Sequence, residues 1–110
     1  APAALDYLEA QVPEAGFLFG EIGLADISIA SFFRNAFYAG FRIDAARWPK
    51  TAAFVARTLA HDCFARFKPF EDAQISTDPK GRRAALLAAG APLAADTLGT
   101  RVPRRGVMQL

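Results

Sequence analysis

Apolar residues recur along this chain at helical spacing, and turn residues break them into segments. Leu5, Leu8 and Val12 mark a short amphipathic helix, which Pro13 closes by disfavouring helix at the residue before it. Pro13-Glu14-Ala15-Gly16 reads as a loop, and Phe17-Leu18-Phe19-Gly20 leads from it into the most apolar stretch. There Gly23 stands at an N-cap position, and Asp26, three residues on, can reach back to the cap N–H. Ile22 and Ile27 flank this start at the spacing of a hydrophobic staple. Glycine is a weaker cap than Ser, Thr, Asp or Asn, so half of a capping box stands beside a complete staple.

From Ile27 to Phe41 the apolar positions cover two faces. Ile27, Ala30, Phe33 or Arg34, Phe37 and Phe41 trace one, while Ile29, Phe32, Ala36 and Ala39 trace the other. A helix apolar on most sides is either a core helix or a membrane span. Ser28, Ser31, Arg34 and Asn35 interrupt the run well short of the ~20 residues that a span needs. The expectation is a central helix with others around it, and Asp26 at its start is then a folding device rather than a catalyst.

Gly40 and the stretch 42–47 end that helix, and Pro49 suits the first turn of the next, where its missing N–H costs nothing. Trp48, Ala52, Val55 and Leu59 form one stripe of it, with Lys50, Arg57 and His61 off the stripe. His61-Asp62 opens a further short helical piece containing Phe64 and Phe67, with Pro69 as its limit. Asp78 as N-cap and Pro79 as first residue predict a last helix carrying Ala84, Leu86, Leu87 and Ala88, stopped by Gly90 and Pro92. No alternating run suggests a strand. The pattern predicts an all-α fold, an orthogonal or irregular bundle of about five helices around a buried central helix. The domain is expected over 1–98, with an aperiodic basic tail over 99–110.

Composition sharpens this only in places. The chain has 110 residues, 53% of them hydrophobic and ten of them Phe, enough for one packed domain and too apolar for disorder. Net charge is +2, with seven acidic and seven basic side chains over 1–70, so the small excess falls after residue 70. Arg101, Arg104 and Arg105 are too few for the dense basic face that a nucleic acid requires. The single cysteine, Cys63, excludes an internal disulfide framework and points to a reducing, cytoplasmic setting. The opening on Ala1-Pro2, without an initiator Met and already in helical pattern, is read as the cut end of something longer.

Candidate chemistry is sparse. His61 and Cys63 stand two apart and diverge on a helix, and no second ligand pair completes a zinc site. Glu9 with Glu14, or Glu71 with Asp72, form carboxylate pairs with no evident cleft. Gly20 and Gly23 follow no strand and precede no Lys-Ser/Thr, so they are not a phosphate loop. No catalytic residue, metal site or bound cofactor is expected on this chain.

Three pieces in order carry a resemblance: Phe17-Leu18-Phe19-Gly20, then Gly23-Leu24-Ala25-Asp26-Ile27, then Trp48-Pro49-Lys50-Thr51-Ala52-Ala53-Phe54-Val55. Together they look like the C-terminal helical domain of cytosolic glutathione transferases, over roughly residues 5–70. That family is similar in its F-L-x-G loop, its buried helix opening S/T-x-A-D-[ILV] and its later aromatic–Pro–basic helix start. Here Gly23 replaces the family's Ser or Thr cap, while Asp26 and the two isoleucines match. The resemblance implies that glutathione, as co-substrate, and the activating residue belong to a thioredoxin-like domain absent from this chain. It also implies a homodimeric parent acting on small electrophiles; no nucleic-acid or membrane partner is expected, on the thin basic charge and the lack of a spanning run. In such a parent the helical domain walls an apolar pocket, for which Phe33, Arg34, Phe37 and Tyr38 are the candidates here. The plainer reading is that the phenylalanines are core and that Arg34 reaches solvent. Whether the parent is an enzyme stays open, because similar helical domains also serve as non-catalytic interaction modules. The chain alone is expected to be inactive and, with apolar surface uncovered, to self-associate.

Overall fold

A computed structural model describes residues 2–94 of the chain. The expected basic tail, 99–110, and its boundary at residue 98 lie outside the described residues. Within them the protein is all-helical: α1 (Pro2–Gln11), α2 (Leu24–Tyr38), α3 (Pro49–Leu59), the single turn α4 (Asp62–Ala65), α5 (Lys68–Ser76) and α6 (Arg82–Ala88). Two isolated bridges, Phe17 with Gly20 and Phe19 with Glu21, shape the loop before α2 without making a strand. The described residues divide into two compact units, with the boundary between Ala65 and Arg66.

The first unit is organised around α3, which packs against α1, α2 and α4. Its core gathers Leu5, Val12, Phe33, Trp48, Phe54 and Val55, with Leu8, Ile29, Phe37 and Leu59 packed at the margin. The role expected of the Ile27–Phe41 helix therefore falls to α3. On α2 only Asp26, Ala30 and Phe33 are fully buried, one stripe at i, i+4 and i+7. Leu24 and Phe32 stay 80% and 68% exposed. The two-faced apolar pattern arises because α2 packs on α3 with one face and leaves the other open.

Of the expected α3 stripe, Trp48 and Val55 are buried in the core and Leu59 packs against it, but the buried face is wider than that stripe. Thr51, Phe54, Val55 and Thr58 are its buried residues, while Ala52 and Leu59 are half-buried. Two threonines enter the core because each hydroxyl finds an acceptor. Thr58 Oγ1 donates to the Phe54 carbonyl at 2.8 Å, and Thr51 Oγ1 donates to Glu9 Oε2 at 2.8 Å. A buried hydroxyl without such a partner is costly.

Helix ends follow local chemistry. Gly40, at φ +94°, and Gly90, at φ +90°, terminate α2 and α6 in the left-handed conformation that glycine adopts without strain. In both, the following residue's N–H reaches back in a Schellman pattern, Phe41 to the Ala36 carbonyl and Ala91 to the Leu86 carbonyl, each at 3.0 Å. Pro49 is the first residue of α3.

In the second unit two expectations are corrected. Pro69 does not limit a helix; it lies in the first turn of α5, where a missing N–H breaks no intrahelical bond, and Lys68 pairs with Asp72 one turn on. Phe64 and Phe67 consequently fall in different segments. Asp78 does not cap α6 either: its carboxylate accepts the Gly81 N–H at 2.9 Å, closing a turn, and the helix opens at Arg82. Arg82 ties that turn back to α5 by donating to the carbonyls of Gln74 and Thr77. α6 buries Leu86.

Candidate functional site

Asp26 is completely buried at the start of α2. Its Oδ2 accepts the Gly23 N–H at 2.8 Å, and its Oδ1 accepts the Leu18 N–H at 2.9 Å. Gly23 is extended, at φ −138°, and its carbonyl accepts the Ile27 N–H. Since glycine has no side chain, only the returning half of the capping box exists. Ile22 and Ile27 are both half-buried on either side of this start. One carboxylate thus fixes two things at once, the first turn of α2 and the loop from Phe17 to Glu21.

α1 and α3 are joined by a second carboxylate arrangement. Glu9 Oε1 accepts the Lys50 N–H at 2.9 Å, and Glu9 Oε2 accepts the Thr51 N–H at 2.8 Å. These are orphan donors of the first turn of α3, capped from a residue more than forty positions away. Partial desolvation pushes the Glu9 carboxyl upward. The bonds from Thr51 and Lys50 and the Lys50 charge together outweigh it, leaving the group below its ordinary 4.5. One turn earlier, Asp6 Oδ1 accepts the Trp48 indole N–H at 2.8 Å, and the Arg47 guanidinium lies over the indole at 4.4 Å. The pairing of Glu9 with Glu14 has no structural counterpart, because Glu9 is spent on α3.

His61 stands just before the first residue of α4. Its Nδ1 accepts the Cys63 N–H at 3.2 Å, capping α4, and its ring meets Phe17 edge-on at 5.9 Å. Arg57 reaches from α3 to the Gly16 carbonyl at 2.9 Å and holds the loop after α1. Among the described residues no group of His, Cys, Asp and Glu side chains could hold a metal ion, and no helix is long and apolar enough to cross a membrane.

Among the described residues, a groove of about 760 Å³ with room for a ligand lies between α1 and α2. α1 and α2 both pack on α3, and Leu5, Leu8, Ile29 and Phe33 belong at once to the core or its margin and to the groove's lining. Leu5, Tyr7 and Leu8 line one side, and Ile29, Phe32 and Phe33 line the other. Its polar contributions are small: the Ser28 hydroxyl, for one, is already committed to the Leu24 carbonyl at 2.8 Å. The aromatic floor is continuous. Phe33 meets Phe32 edge-on at 5.4 Å and stacks with Phe41 at 6.4 Å.

Of the four pocket candidates, only Phe33 lines this groove. Phe37 is half-buried beside the core with the Arg42 guanidinium 5.6 Å from its ring centre, and Arg34 and Tyr38 are half-buried elsewhere on α2. The residues missed as site candidates are Tyr7 and Leu8 on α1 and the Ile29, Phe32, Ala36, Ala39 face of α2. That face was visible as a stripe; its spacing says that it is apolar, and says nothing of whether a neighbour covers it.

The chain matches no family model, no curated protein and no solved structure.

Proposed function

We propose that this chain is the helical half of a cytoplasmic, homodimeric glutathione transferase-like protein, with the α1–α2 groove as its apolar, electrophile-facing surface. The observation that supports the reading is the buried Asp26, which ties the Leu18 and Gly23 N–H groups at the start of α2. This gives physical work to the F-L-x-G and A-D-I pieces on which the resemblance rests. The groove's size falls in the usual range for small-molecule sites, roughly 300–1,000 Å³, and its apolar lining suits neutral hydrophobic compounds. Its described lining carries no charged group and only the Tyr7 and Ser28 hydroxyls, the latter donated to the Leu24 carbonyl, so the proposal assigns conjugation to a glutathione-holding domain elsewhere in the parent.

A non-catalytic interaction module is the second reading, and one observation favours it. The groove's lips are open, with Tyr7 67% and Phe32 68% exposed, whereas a small-molecule pocket usually encloses most of its ligand. An open apolar channel between two helices suits the face of a partner helix.

Calorimetry of glutathione against the natural full-length protein separates the two. Saturable binding, with turnover of an apolar electrophile, is expected of the transferase reading. Absence of binding would transfer the assignment to the module. Thiol conjugation by the 110-residue chain alone would overturn the proposal that its chemistry lies elsewhere.

A further inference from the structure

We draw no further inference here: the strongest candidate, the apolar groove between α1 and α2, belongs to the site already described, and nothing in the structure shows what covers it.

Discussion

Asp26 holds two separate segments, the loop at Leu18 and the start of α2, through one carboxylate. Replacing it with Ala would leave two backbone N–H groups, those of Leu18 and Gly23, without their acceptor next to a buried helix start. Bonds to a charged acceptor contribute about 1.5–3 kcal/mol each, and not additively, so Asp26→Ala is expected to cost about 3 kcal/mol in urea unfolding. A cost below about 1 kcal/mol would mean that water replaces the carboxylate freely. Gly23 tests the opposite sign. A Cβ added there would meet its nearest neighbour, Asp26 Oδ2, at 3.8 Å, an ordinary contact, and the backbone is already extended. Gly23→Ser supplies the hydroxyl for the empty half of the capping box, and a gain of a few tenths of a kcal/mol, up to about 1, is expected. Destabilisation by this change would show that the loop before α2 has no room to settle around a true cap.

At the scale of elements, α3 organises the first unit, and Glu9 of α1 caps the start that Pro49 opens. Glu9 therefore links stability to pH. Its folded value lies below the unfolded 4.5, so its contribution is fully present above that value. The contribution is lost as pH falls through the folded value. Glu9→Gln retains one acceptor oxygen and should be less stable than the natural chain at neutral pH. The gap should narrow through the acidic window below 4.5, which chemical denaturation of both proteins across pH would reveal. A constant gap would rule out the carboxylate's charge as the source. Phe54, completely buried, should cost about 3–5 kcal/mol on replacement by Ala. Local signals account for much of this layer: Leu5 and Val12 as core, the Gly23–Asp26 start, Gly40 and Gly90 as stops, and Pro49 as an opening. What was not legible depends on distant partners. Thr51 and Thr58 read as polar until an acceptor is known, so the expected α3 stripe found Trp48 and Val55 and left out Thr51, Phe54 and Thr58. Pro69 is equally suited to stopping a helix or to sitting in its first turn, and only the neighbours of α5 decide which.

At the scale of the whole chain, the open question is what the apolar surface of the first unit does. Periodicity reports which positions are apolar, and a second stripe on α2 is the same pattern whether another helix lies on it or solvent does. The structure resolves that ambiguity for the site: Ile29 and Phe32 face a groove, and of the pocket candidates Phe33 alone shares it. Phe32 is the residue to test, because it is two-thirds exposed and leaves no sealed cavity when shortened. Its edge-on contact with Phe33 is worth about 0.5–1.5 kcal/mol, so Phe32→Ser should remain folded. Phe19→Ser is the matched control, since Phe19 is more exposed still but does not line the groove. Binding of an apolar fluorescent dye should weaken several-fold in Phe32→Ser and stay nearly unchanged in Phe19→Ser. Any self-association seen by sedimentation should follow the same order, because joining copies through this surface removes the same apolar area from water. Equal losses in both variants would mean that exposed phenylalanines attract the dye wherever they stand. The groove would then have no claim as a site.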